Sequence, residues 1–320
     1  MFGLMGVARM SGQPGGAWSP LRLFAASEQG AWYDPSDFAS MFQDSAGTTP
    51  VTAVEQPVGK INDKSPNGSH ATQPTAAARP VVSARKNWFT STEDFTDAAW
   101  AASSVTKTAS TLTFTTAVGY IQYGFPPIPG IVAGATVTLS ITMSSDTPQP
   151  VLLSIADNAD GDPFYSLSVN VTTTPTRFTF TQTMGAAFSG NLTVLISGNN
   201  VITPGTVVTA TDPQIETGST ATRYQRVTTA SDYDSVGFPH YIANDGIDDL
   251  LATTFPDLGT DVTIARAVPF VGASILTAQT IGAGVRNDIT NHAGLVIIDR
   301  ALTAGETAAL TAYLDAKAGV

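Results

Sequence analysis

The groups in this chain that could carry acid–base, nucleophilic or metal chemistry are few in kind. There are three histidines (His70, His240 and His292), 21 aspartates, five glutamates and no cysteine. The missing cysteine excludes disulfide frameworks, thiolate zinc sites, iron–sulfur clusters and thiol nucleophiles together. A serine nucleophile on a strained turn needs Gly-x-Ser-x-Gly, which does not occur. His70 follows the turn Pro66-Asn67-Gly68-Ser69 and reads as a loop residue. His240 and His292 lie near Asp234 and Asp288 in sequence, a spacing that a metal or triad would tolerate but that singles out neither. Glycoside hydrolysis needs two carboxylates about 5–9 Å apart across a cleft. Asp248 and Asp249 are adjacent, so on a strand they point to opposite faces. Asp157, Asp160 and Asp162 fall within one hairpin-like turn. The chain is therefore expected not to be an enzyme.

Two aspartate clusters could hold a hard cation, which wants gathered oxygens. Asp157-Asn-Ala-Asp160-Gly-Asp162 partly matches a calcium loop, but it lacks EF-hand spacing and a following bidentate glutamate, and a solvated turn is the preferred reading. Asp245–Asp249 is read as polar residues at a strand end. No cofactor is expected, because Gly282-Ala-Gly-Val-Arg-Asn287 lacks the third glycine and long helix of a dinucleotide fingerprint. Aromatic rings remain. Trp88, Trp100, Tyr120, Tyr123 and Phe125 are candidates for stacking on sugar faces; the competing reading places Trp88 and Trp100 in a core.

The elements that must position these groups are legible from charge and periodicity. Lys+Arg 15 against Asp+Glu 26 gives a net charge of −11, and charged residues make up only 13%. A typical soluble domain has about 25%. Sparse Lys and Arg make nucleic acid a poor partner. The excess of Asp over Glu favours turns over helices. Between Ala101 and Ala210 only Lys107, Asp146, Asp157, Asp160, Asp162 and Arg177 are charged, and strict alternation recurs. Thr111–Thr115, Thr136–Ser144, Tyr165–Thr172, Arg177–Thr181 and Asn191–Ile196 each put an apolar set on one face and Thr/Ser on the other. The prediction is an all-β protein of two antiparallel β-sandwich or jelly-roll domains.

One helix is predicted over 304–317, with Thr303 as N-cap, Glu306 completing a capping box and Gly319 as stop. Residues 1–29 read as an arm, with Trp18, Leu21, Leu23 and Phe24 as anchors. The apolar start has no basic residue before it and Arg9 after it, so no signal peptide is expected. The uncharged run 267–285 contains Pro269, Gly272 and Gly282 and reads as two strands around a turn rather than a membrane span.

A family resemblance rests on several motifs. Gly30-Ala-Trp-Tyr-Asp-Pro-Ser-Asp37, Phe42–Val51 and Asp63-Lys-Ser…Gly68-Ser-His-Ala-Thr-Gln73 resemble the opening of laminin-G/concanavalin-like modules in tailed-bacteriophage virion proteins. Asp245-Gly-Ile-Asp-Asp-Leu-Leu251 looks like the next strand of that module, and Gly294–Thr303 with the terminal helix looks like its end. Between them, Asn87-Trp-Phe…Ser91-Thr-Glu-Asp-Phe95…Trp100 and Gln214-Ile-Glu-Thr-Gly-Ser219…Tyr224-Gln-Arg-Val227 are similar to a carbohydrate-binding-like jelly roll inserted in phage tail proteins. The resemblance implies an arm (1–29), a split lectin-like domain (30–85 and 229–320) and an inserted jelly roll (86–228). The flanking stretches are each too short to close a core alone, which fits an insertion at a loop tip.

The expectation is a structural virion protein of tail, collar, fibre or head decoration, contacting other virion subunits and itself, with weak adhesion to host glycan. It would be made in the host cytoplasm, without membrane or nucleic-acid partners, as a homo-oligomer, a trimer being favoured. A dedicated receptor-binding adhesin and a glycan depolymerase are the alternatives.

Overall fold

The computed structural model describes residues 18–128, 130–157, 164–198 and 200–320. The chain forms two compact units, one of residues up to Val82 together with Pro239–Val320, the other of Ser83–Phe238. Both are built mainly of antiparallel strands, and the all-β class predicted above is observed.

The Ser83–Phe238 unit has ten principal strands: β1 (Trp100–Ser103), β2 (Val105–Lys107), β3 (Thr111–Phe114), β4 (Tyr120–Gly124), β5 (Thr136–Ser145), β6 (Gln149–Asp157), β7 (Phe164–Val171), β8 (Thr176–Thr183), β9 (Leu192–Ser197) and β10 (Val207–Thr217). They form two five-stranded sheets, ordered β8-β5-β10-β3-β2 and β7-β6-β9-β4-β1. Alternation explains the layering. Val137, Leu139, Ile141 and Met143 of β5 point into the core that they share with Val151, Leu153 and Ile155 of β6. The alternate threonines lie on the other face of the sheet, where the hydroxyls of Thr136 and of buried Thr138 meet those of Thr183 and Thr181 across the ladder at 2.9 Å each.

The two ends of this unit are clasped to one another. The Gln225 amide oxygen accepts from the backbone N–H of Lys86 (2.6 Å) and Asn87 (2.9 Å), and its NH2 donates to the carbonyls of Ala84 and Asp234. Asn87 donates to the carbonyls of Pro213 and Gln225 and accepts from Ile215 N–H. The hydroxyls of Ser83 and Tyr233, 150 residues apart in sequence, lie at 2.9 Å. Beneath the clasp, Lys86 and Glu216 form an ion pair at 3.3 Å with side chains 4% and 0% exposed.

In the other unit a four-stranded sheet runs Gly30–Tyr33, Gly294–Ile298, Gly259–Val268, Gly272–Ile281. Every residue of Gly294–Ile298 is buried. Leu295 and Ile297 join one core, with Tyr33, Val262 and Ile264, while Val296 and Ile298 join a second, with Trp32, Leu310 and Leu314. A strand buried on both faces in this way reads as a continuous apolar run. The uncharged stretch 267–285 holds the last two residues of strand Gly259–Val268, a turn at Phe270 (φ 62°), the strand Gly272–Ile281 and the start of the short strand Gly284–Arg286. Among the described residues no helix is long and apolar enough to cross a membrane.

Helix α1 (Ala304–Ala318) has the capping box read from sequence: Thr303 Oγ1 accepts from Glu306 N–H, and a Glu306 carboxylate oxygen accepts from Thr303 N–H at 2.8 Å. The Arg300 guanidinium, 2.7 Å away, holds the Glu306 carboxyl below its ordinary range, at about 2. Gly319 closes the helix at φ 80°, where an added Cβ would lie 3.0 Å from Pro239. The helix is tied to the sheet by buried Asp34, which accepts from Lys317 at 2.9 Å and Tyr313 at 3.3 Å and pairs with Lys64 at 3.4 Å. Thr303→Ala is expected to lower the unfolding free energy by about 1 kcal/mol in urea denaturation, because an N-terminal donor loses its acceptor.

Two expectations are corrected here. Of the proposed anchors, Leu23 and Phe24 are buried in the chain's own core and Trp18 packs on Tyr313 at 6.0 Å; Leu21 alone of the four is half exposed. Their apolar surface is spent on helix α1 and its sheet. The rest of the arm, residues 1–17, lies outside the described residues. Asp245–Asp249 is a turn rather than a strand, because the Asp245 carboxylate accepts from the backbone N–H of Ile247, Asp248 and Asp249. The strand comes later, at Thr253–Phe255.

Candidate functional site

The sheet β7-β6-β9-β4-β1 presents one face to the core and one away from it. Register fixes which residues share the outer face. Leu152 of β6 pairs with Ser197 of β9, and Ser197 pairs with Tyr120 of β4, so these three stand in a row across the strands. One row along, Ser154, Leu195 and Gln122 are aligned, and one further, Phe164 of β7 pairs with Ala156. Neighbouring strands are about 4.8 Å apart, which spreads Leu152 and Tyr120 over about 10 Å.

Val118, Tyr120, Leu152, Phe164, Leu195, Ser197 and Asn200 line a shallow depression of about 230 Å³ on this face. Phe164 is 51% exposed and Val118 61%. The lining has two aromatic rings, three aliphatic side chains, a hydroxyl and an amide, and carries no formal charge. Such a surface can stack on the C–H face of a sugar ring and hydrogen-bond to its hydroxyls.

Of the five rings named from sequence, only Tyr120 lines this depression. Trp100 is 1% exposed, stacks on Phe89 at 4.8 Å and donates its indole N–H to Ser91 O at 2.9 Å. Tyr123 is buried against the same cluster, and its hydroxyl accepts from Thr90 N–H. Phe125 is buried there too. Both Trp100 and Tyr123 are thus core residues, offering no face to a ligand. Trp88 is half-buried against that core, 5.7 Å from the Arg85 guanidinium. Strand parity carried the distinction: Ile121 and Tyr123 share the inner face, which leaves Tyr120 on the outer one. Phe164 was missed, although its alternation with Ser166 and Ser168 places it with the outward set.

The remaining polar candidates are held by their own surroundings. Asp157 is buried at the end of β6, its carboxylate accepting from Ser189 N–H and Oγ at 2.5 Å. Asp160 and Asp162 lie outside the described residues. The carboxylates of Asp245, Asp248 and Asp249 come within 4.8 Å of one another, so the turn gathers groups that a strand would have separated. Burial and Asp245 raise the Asp249 carboxyl above its usual range. His70 is exposed, and its Nδ1 accepts from Asp63 N–H at 3.1 Å. His240 packs edge-on against Phe38 at 5.0 Å, and burial lowers its pKa.

No known protein family and no curated protein matches the chain. Solved structures with partial likeness include carbohydrate-binding modules and an α-L-arabinofuranosidase, MgGH51. The xylan-binding CBM22-1 domain of Paenibacillus barcinonensis Xyn10C is 12% identical, over 42% of this chain and 94% of its own, with a TM-score of 0.31. The C-terminal family 22 module of Clostridium thermocellum Xyn10B is 12% identical, over 43% and 97%, with a TM-score of 0.32. TmCBM61, solved with β-1,4-galactotriose, is 12% identical, over 42% and 100%, with a TM-score of 0.30. At this identity the likeness concerns fold alone.

Proposed function

We propose that this protein is a non-enzymatic, glycan-contacting structural component of a bacteriophage particle. The observation that carries the glycan reading is the Tyr120–Phe164 depression: uncharged, shallow, and edged by hydroxyl and amide groups on a rigid pleated sheet. A single site this small gives weak contact, which many copies on one particle would convert into adhesion. The virion setting is supported by the motifs Asn87–Trp100 and Gln214–Val227 and their resemblance to phage tail proteins. In the structure their polar residues, Asn87, Gln214 and Gln225, form the clasp rather than a ligand surface.

The test is native affinity electrophoresis of the full chain in gels containing soluble xylan, β-glucan, galactan or host-surface polysaccharide. Retardation by at least one of these is expected. Tyr120→Ala and Phe164→Ala should each weaken it about tenfold, equivalent to about 1.4 kcal/mol, with unchanged unfolding midpoints. Absence of retardation in every gel removes the glycan reading. Release of reducing ends would instead favour a depolymerase, and tight monovalent binding a dedicated adhesin.

A further inference from the structure

All three histidines fall in the split unit, and Ser83–Phe238 contains none. His292 is the unusual one. It is fully buried, and neither ring nitrogen has a hydrogen-bond partner among the described residues. Its backbone is bridged to Ile242, with Ile242 N–H donating to His292 O at 3.0 Å and Asn291 N–H to Ile242 O at 2.8 Å. Its ring lies 6.5 Å from that of Tyr33, whose hydroxyl is already committed to the carbonyl of Ser69. The pieces that meet here come from both halves of the split sequence.

The charges around the ring do not favour an imidazolium. The Arg266 guanidinium, on strand Gly259–Val268, acts against a charge on the ring, and it donates to Asp288 O at 3.3 Å. Arg286 adds a second guanidinium acting on Arg266; it pairs with the Asp288 carboxylate at 2.6 Å, and its buried Nε has no partner among the described residues. The Asp34 carboxylate acts in the opposite sense, and it is engaged by Lys317, Lys64 and Ser36. The flanking Asn244 and Asn291 bond to each other.

We propose that His292 is an acid-sensitive latch, which keeps the split unit closed while its ring is neutral and opens that unit when the ring takes up a proton. Burial, and then Arg266, push its pKa down to about 3 in the folded chain. Unfolded, the same ring takes up its proton near 6.5. The open form therefore binds more protons throughout this window, so the latch is fully effective above about pH 6.5 and is lost progressively towards 3. The open-to-closed ratio rises by up to tenfold per pH unit, and about 25-fold between pH 7 and pH 5.

Amide hydrogen exchange of the intact chain, corrected for the intrinsic pH dependence of exchange, reads this directly. Strands Gly30–Tyr33 and Gly294–Ile298 should open about 25-fold more at pH 5 than at pH 7, and β5 and β10 much less. In His292→Phe and His292→Gln the acid response should largely vanish, while His240→Gln should keep most of it. The latch is overturned if the two units respond alike in the natural chain, if either His292 variant retains the response, or if His240→Gln abolishes it. Should neither His292 variant fold, the contrast between units and the His240→Gln result still decide.

Discussion

Replacing Glu216 by alanine is expected to lower the unfolding free energy of the jelly roll by about 3–5 kcal/mol. Glu216 is fully buried and accepts from Gln214 Nε2 at 2.7 Å, Thr222 N–H at 2.9 Å and Thr222 Oγ1 at 2.8 Å, besides its contact with Lys86. Burial depresses the Lys86 pKa and the Glu216 charge opposes that depression. Without the carboxylate the ammonium loses its counter-charge and Thr222 loses its acceptor. Urea denaturation followed by tryptophan fluorescence should show the loss. The double variant Lys86→Met/Glu216→Leu should recover most of it, because a matched apolar pair leaves no buried charge uncompensated. A single-variant loss below about 1 kcal/mol would contradict the buried ion pair.

Trp100→Ala should cost about 3–5 kcal/mol, the penalty of a large core cavity. Its ring packs on Phe89, Phe95 and Tyr123 with centroids 4.8–5.0 Å apart, and its indole N–H holds Ser91 O. The measurement pairs a denaturation curve with affinity electrophoresis at low temperature. Stability should fall while polysaccharide retardation by the folded fraction stays unchanged. The reverse outcome, loss of retardation at constant stability, would return Trp100 to the binding surface.

The sequence made the class of fold legible because that information is local. The alternation of Thr136–Ser144 became a strand over Thr136–Ser145, and both capping groups of helix α1 lie within four residues. What stayed hidden depends on distant partners. Gln214-Ile-Glu-Thr looks like any half-exposed strand, yet Glu216 is buried because Thr222 folds back over it and Lys86 arrives from 130 residues earlier. Asp245–Asp249 was misread for a local reason: a carboxylate that captures three backbone N–H groups outcompetes strand pairing. At the candidate site, Tyr120 was named but not separated from Tyr123, because that takes the parity of the strand as well as the residue type.

The clasp joining Ala84–Asn87 to Gln225 also bears on how such a chain can change over generations. With both ends of the jelly roll pinned together, the distance between the chain's entry and exit stays short, whatever the number of residues enclosed. Loop length then adds little to the entropy of closing the host sheet. Selection could lengthen, shorten or replace the enclosed cassette with small effect on its host, provided that the newcomer brings its own ends equally close. A protein built this way could alter its inserted unit while conserving the sheet that carries it.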